Sequence, residues 1–293
     1  MTQTSLPISR QDAFFLALIA AIWGVNTALT KYVFMHLPPL FASCLRFALT
    51  AALLFAFWRP AAGAWRPLLI VGLLTALHFG IQSIGLWLAD DLSPMVIAMQ
   101  LWIPAAAVLA SVFLHERIGV VRMIGVAVSF AGTALLAADG AVIPQLGAFL
   151  LVAIASTLYG AVSVYVRRAP ALHPLAYQAW IAFAALATLG PISLATEHNQ
   201  IEAAANAGFW PYAAIAFAAV ASSIVANALM FRLVQKYEVA RTTPYMFLSP
   251  VIAIAAGIAF FDDPVSAQLL TGATLTLIGV AIVTMAERLL FQR

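Results

Sequence analysis

His78 and Gln82 stand four residues apart in an apolar run, and the same spacing recurs at Tyr159 and Ser163 and at Tyr245 and Ser249. On a helix that spacing puts both side chains of a pair on one face. Asn26, Gln100, Trp102, Tyr177, Gln178, Trp180 and Asn227 lie in comparable apolar surroundings. In hydrocarbon a polar group is costly unless it is satisfied, so each of these side chains points to a cavity or to a hydrogen bond between helices. Nearly all are neutral hydrogen-bonding or aromatic groups. They suit a zwitterion or a flat ring better than a phosphate, which calls for several Lys or Arg.

Two cations stand apart from that pattern. Arg46 falls inside an apolar run, where an Arg at a helix centre costs about 2.5–3.5 kcal/mol on insertion scales. It can receive a substrate carboxylate, cap helix carbonyls or snorkel to an interface. Lys31 lies nearer the end of its run, and snorkelling is the simpler reading there. His78 can in principle carry a proton. No Asp or Glu lies mid-run to form a relay, which points to facilitative or weakly coupled chemistry.

The elements that must position these groups are read from composition. The chain has 293 residues, 64% hydrophobic and 9% charged. A soluble domain carries about 25% charged residues. A helix needs roughly 20 apolar residues to cross a bilayer. Ten such runs are expected, at about 13–33, 40–58, 67–88, 92–114, 121–139, 147–166, 173–194, 210–234, 242–261 and 268–286. The first is read as a retained helix and not a signal peptide, since no A-x-A-like site follows. Residues 195–209 read as a small surface excursion.

Charge then orients the runs. Arg10, Arg59, Arg66, Arg117, Arg122, Arg167, Arg168, Lys236, Arg241, Arg288 and Arg293 fall in one alternate set of breaks. The other set has no Lys or Arg but carries Asp90, Asp91, Asp139, Glu197, Glu202, Asp262 and Asp263; the pairs Asp90-Asp91 and Asp262-Asp263 read as solvated loop charge in preference to a cation site. Cytoplasmic loops are enriched in Lys and Arg, so both termini are expected inside. The net charge of +3 is thereby explained without a nucleic-acid partner. The single cysteine, Cys44, excludes an internal disulfide, and no cofactor or metal site is expected.

The halves 1–140 and 141–293 resemble each other. Leu101-Trp102-Ile103-Pro104 matches Leu248-Ser249-Pro250 when the prolines superpose, and that offset sets Glu116 against Asp262. Gly125 and Gly132 then face Gly272 and Gly279 with one residue inserted, and Trp23-Gly24 matches Tyr159-Gly160. Because five is odd, a second copy of five spans runs upside down. The expected fold is therefore an all-α membrane protein of two inverted five-helix repeats. Inverted repeats are a signature of secondary transporters, with the site near the midplane. Pro104 and Pro250 are then either static bends or paired hinges.

With these motifs the chain resembles the drug/metabolite transporter superfamily, of the EamA type. The run Pro104 to Leu114 with His115-Glu116-Arg117, its counterpart Pro250 to Phe261 with Asp262-Asp263-Pro264 and Gln268, the four glycines, Trp23-Gly24 and Arg46-Phe47 carry the resemblance. Within it the chain is similar to amino-acid exporters of the YddG type. The resemblance implies inner-membrane export of aromatic and other neutral amino acids, with the lipid bilayer as the other partner and no oligomer required. Drugs or other small metabolites are the alternative cargo. An intramembrane enzyme is disfavoured, since H-E-x-x-H, G-x-S-x-G and a mid-span aspartate pair are all missing. One departure stands out: the family carries Gly-Glu after spans four and nine, where this chain has His115-Glu116 and Phe261-Asp262.

Overall fold

The computed structural model describes residues 8–58, 65–115, 119–166, 173–236 and 245–291, and among them it is all helical. The helices are α1 (Arg10–Phe34), α2 (Pro39–Leu53), α3 (Trp65–Leu88), α4 (Leu92–Met99), α5 (Trp102–Leu114), α6 (Val120–Ala137) and α7 (Leu146–Val166). They continue with α8 (Pro174–Thr196), α9 (Gln200–Asn206), α10 (Phe209–Phe217), α11 (Asn227–Lys236), α12 (Leu248–Phe261) and α13 (Ala267–Phe291). Eight helical stretches are long and apolar enough to cross a membrane, and α2 and α12 are shorter apolar helices at the places of expected spans two and nine. The excursion expected at 195–209 contains the exposed helix α9.

Local chemistry sets the ends. Ser9 caps α1, accepting from Asp12 N–H at 3.1 Å while donating to the Asp12 carboxylate at 2.7 Å. Pro38-Pro39 starts α2, where a missing N–H costs nothing. Span four departs from the expected continuous helix. It breaks into α4 and α5, with N–H groups of Gln100, Leu101 and Ile103 reaching carbonyls three residues back. The cause sits at Pro104, which has no N–H to offer the Gln100 carbonyl. In the second half Phe247 takes the same backbone angles as Leu101, and Pro250 again stands third in its helix.

The ends of α5 and α12 also match. Both close on a residue in the left-handed region, His115 (φ 54°) and Asp262 (φ 55°), where glycine is favoured. This corrects the pairing of Glu116 with Asp262. The structural counterpart of Asp262 is His115, and the inserted residue lies inside α12, which has 14 residues against 13 in α5. The Gly-Glu of the resembled family therefore falls on Asp262-Asp263. Glu116 itself lies outside the described residues.

Packing couples the halves through pairs of contacts that mirror each other. A Cβ placed on Gly132 would lie 2.5 Å from Thr276 N and 2.8 Å from Gly272 O, and one on Gly125 would lie 2.9 Å from Gly279 O. The two matched glycine pairs therefore face one another across α6 and α13, where backbones meet directly. Gly24 packs on Ser249 and Ile252 of α12, and Gly160 packs on Trp102 and Ala106 of α5. Likewise α3 packs on α7 while α1 packs on α10 and the residues 218–226 that follow it, and α2 packs on α8.

Expected span eight is the second irregular one. Residues Ala218–Ala226 between α10 and α11 form a π-helix, a conformation found often at functional sites. Nothing in the hydropathy of this run marks it.

Candidate functional site

A cavity of about 160 Å³ lies where α3, α7 and the α4–α5 break meet, lined by His78, Gln82, Met99, Gln100, Trp102, Ser156 and Tyr159. Helix α3 supplies His78 and Gln82 one turn apart, and α7 supplies Ser156 and Tyr159. The break supplies the third wall. In a regular helix Met99, Gln100 and Trp102 would spread over about 160° of arc, and the tightened turns at 100–103 bring them to one cavity.

The wall's chemistry follows from what each polar group has already spent. His78 Nδ1 lies 2.7 Å from the Ala155 carbonyl, which can only accept, so Nδ1 carries the proton. A neutral ring then keeps an Nε2 lone pair. Gln100 donates Nε2 to Val96 O at 3.2 Å, leaving Oε1 as an acceptor. Ser156 donates its hydroxyl to Val152 O at 2.9 Å. Tyr159 keeps 38% of its surface free; its ring lies 4.9 Å from His78 and edge-on to Trp102 at 5.6 Å. The wall is thus uncharged, offers acceptors (His78 Nε2, Gln100 Oε1) beside groups that can donate as well (Gln82, Tyr159), and is floored by two aromatic rings.

Five of the residues singled out from sequence therefore meet here: His78, Gln82, Gln100, Trp102 and Tyr159. The others lie elsewhere. Ser163 shares a helix face with Tyr159 but donates to the Tyr159 and Gly160 carbonyls of its own helix. Asn227 donates to Ser223 O at 3.0 Å, Tyr245 packs on the cluster of Leu16, Ile19, Ala226 and Leu233, and Ser249 abuts Gly24. Trp180 packs against Trp58 and Phe183, and among the described residues its buried Nε1 has no acceptor and the buried Asn26 Oδ1 no donor. Pro104 and Pro250 are buried at their helix starts. Sequence reasoning missed Met99 and Ser156; Met reads as plain apolar filler, and Ser156 stands one turn before Tyr159 without an apolar contrast to mark it.

Arg46 neither snorkels nor caps a carbonyl. It donates through Nε (3.3 Å) and Nη2 (2.9 Å) to Ser223 Oγ in the π-helix, with its guanidinium over the rings of Phe47 and Phe79. Lys31 does not snorkel either: it is buried and donates to the carbonyls of Leu86 and Ala89, closing the end of α3.

At the end of the protein that carries the acidic loops, polar contacts tie the two halves together. Asp263 is 4% exposed, not a solvated loop charge, and accepts from Leu92 N (3.0 Å), Ser93 N (2.6 Å) and Ser93 Oγ (2.5 Å) at the start of α4. Glu197 accepts from Leu40 N (2.8 Å) and Phe41 N (2.9 Å) at the start of α2. A carboxylate at a helix N-terminus meets the orphan N–H groups and the positive end of the dipole. Asp139, also buried, accepts from Ser266. Gln145 donates to Asp91 at 2.6 Å and accepts from Asp90 N and Asp91 N. Burial pushes the Asp91 carboxyl up from its ordinary range, against the pull of the Gln145 hydrogen bond. Beneath these clamps Phe34, Leu37, Leu92, Met95, Val96 and Ile97 form a buried apolar cluster.

The profile of the EamA-like transporter family matches twice, over residues 12–138 and 146–285. A protein of Bacillus subtilis described as an uncharacterized transporter is 28% identical, over 95% of this chain and 92% of its own length. A Salmonella typhimurium protein described as a probable amino-acid metabolite efflux pump is 23% identical, over 94% of this chain and 95% of its own, and an Escherichia coli protein of the same description is also 23% identical. A solved crystal structure shares the fold, with a TM-score of 0.61 at 18% identity, covering 96% of this chain and 99% of that one.

Proposed function

The chain belongs to the EamA-like transporter family, and on that premise we propose that it exports neutral amino acids, aromatic ones included, across the inner membrane. The observation that carries this reading is the cavity at the α4–α5 break, uncharged, lined by hydrogen-bonding groups of both kinds and floored by Trp102 and Tyr159. A substrate ammonium suits the His78 Nε2 and Gln100 Oε1 acceptors, and a flat side chain suits the two rings. The names of the Salmonella and Escherichia relatives agree with that cargo. The apolar part of the wall (Met99, Trp102, Tyr159) also favours, as a second reading, a lipophilic metabolite that lacks the zwitterion.

In this reading the fold is two inverted five-helix repeats, residues 1–140 and 141–293. Ten spans are made from the eight long helical stretches plus α2 and α12, with both termini cytoplasmic. The double match of the family profile and the mirrored glycine contacts support it. The clamps at Asp263 and Glu197 form the closed outer gate, and the paired breaks at Pro104 and Pro250 act as hinges. Transport is facilitative or weakly coupled, because none of the described residues that line the cavity is a carboxylate.

Reconstituted liposomes test the reading. Saturable uptake of labelled phenylalanine or leucine is expected, accelerated by the unlabelled amino acid on the far side, a counterflow that an open pore does not show. His78→Ala and Trp102→Ala should abolish it. Transport of lipophilic amines with no amino-acid counterflow would refute the amino-acid assignment. Collapse on dissipating a pH gradient, with the amino-acid gradient held fixed, would refute facilitative transport.

A further inference from the structure

Arg46 has unused hydrogen-bonding capacity in a place where charge is expensive. It sits mid-way along α2, PLFASCLRFALTAAL, a helix with no acidic residue. Among the described residues its hydrogen-bond acceptor is a neutral one, Ser223 Oγ. The serine is spent in turn. It donates its only hydroxyl proton to Ala218 O at 2.9 Å, five residues back, as the π-helical register allows. Both its lone pairs are then free to face the Nε and Nη2 protons of Arg46. A guanidinium has five N–H donors, and this arrangement uses two on one side of the group. The Nη1–Nη2 edge stays available, and that edge matches a carboxylate with two parallel hydrogen bonds.

The surroundings fix where the guanidinium lies. Phe47 and Phe79 meet edge to face at 5.1 Å and hold the guanidinium over both rings, 5.7 and 5.4 Å from their centres. The Phe79 ring is 4.8 Å from that of His78, which lines the cavity. The charge thus stands one aromatic ring away from the cavity wall. An intramembrane cation without a carboxylate partner is a pointer to a ligand.

From this geometry we propose that Arg46, oriented by Ser223, is a carboxylate subsite adjoining the cavity, so that the cargo is a compound with a free carboxylate and an apolar or aromatic body. The proposal rests on the transporter reading above and narrows it. It also gives the π-helix a role: a regular α-helix would carry the Ser223 hydroxyl around the helix axis and release Arg46.

The test compares counterflow of phenylalanine with that of its C-terminal amide, which keeps the ammonium and the ring and lacks the carboxylate. In the wild type the amide should move about 10- to 100-fold less well, the ratio expected for loss of a charge-assisted pair. Arg46→Gln should bring phenylalanine down to the level of the amide and leave the amide unchanged. Arg46→Lys should restore part of the preference, and Ser223→Ala should lower it while leaving amide transport intact. Equal transport of acid and amide by the wild type, or an equal fall of both in Arg46→Gln at normal expression and thermal stability, would overturn the subsite while leaving the transporter reading standing. Absence of any amino-acid counterflow in the wild type overturns both.

Discussion

The clamp at Asp263 makes a quantitative prediction about how the two halves are held. The carboxylate takes three hydrogen bonds at the start of α4, from Leu92 N, Ser93 N and Ser93 Oγ, and is 4% exposed. Hydrogen bonds to a charged group contribute about 1.5–3 kcal/mol each, and loss of a helix cap costs about 0.5–2 kcal/mol. These effects share one site and do not add. Asp263→Ala should therefore lower stability by about 2–4 kcal/mol, because two N–H groups at the start of α4 lose their acceptor in a place little reached by water. Asp263→Asn should cost about as much, since whichever way the amide lies its NH2 faces a backbone N–H of Leu92 or Ser93, donor against donor.

A second substitution attacks the same contact without touching the acid. A Cβ on Gly257 would run into Asp263 Oδ2 and lie 2.7 Å from Ser93 Oγ. Gly257→Ala should push the clamp apart and destabilise by about 1–3 kcal/mol, as overpacking does. Once Asp263 is alanine the nearer obstacle is gone, and Ser93 Oγ, released from its acceptor, can turn away. The double variant should thus be less unstable than the sum, with a coupling of about 1 kcal/mol or more. Thermal and denaturant unfolding in detergent, followed by tryptophan fluorescence, gives all four corners of the cycle. Independent, additive effects, or an Asp263→Ala protein within about 0.5 kcal/mol of wild type, would refute the clamp as drawn.

Other contacts yield further expectations. Gly132→Val should destabilise more than Ala127→Val, because even the first added carbon meets the Thr276 backbone; unfolding in detergent compares the two. Glu197→Gln should lower the melting temperature by the equivalent of about 1–3 kcal/mol, as the amide NH2 leaves either the Leu40 or the Phe41 N–H without an acceptor. Asp91 has its carboxyl raised by burial, so its ionised form opposes folding above that range and the cost fades as pH falls through it. Asp91→Asn should therefore be as stable as wild type or more so at pH 7, with the gap closing in acid. Pro104→Ala should let the break at 100–101 straighten, slowing transport more than it weakens binding; a fall in turnover with unchanged half-saturation is the readout.

Much of this fold was legible because two signals are one-dimensional. Apolar run length marks helices that cross hydrocarbon, and proline and glycine mark where backbones break or touch. Gly125, Gly132, Gly272 and Gly279 were matched by position alone, and the structure places them against each other across α6 and α13. Within the site, His78, Gln82, Gln100, Trp102 and Tyr159 were visible as polar or aromatic groups against an apolar background. What stayed hidden depends on partners far away in sequence. Lys31 looks like a snorkelling end residue until the carbonyls at the end of α3, 55 and 58 residues on, are brought to it. Asp263 looks like half of an exposed acidic pair until the start of α4 arrives 170 residues from the other direction. The left-handed angles at His115 and Asp262 resolve a one-residue ambiguity that spacing leaves open, because superposing prolines cannot say whether the insertion lies before or after the helix end. Once it is placed inside α12, the acid that follows the left-handed residue is Asp263. Its burial against α4 is then the reason an acid is needed there.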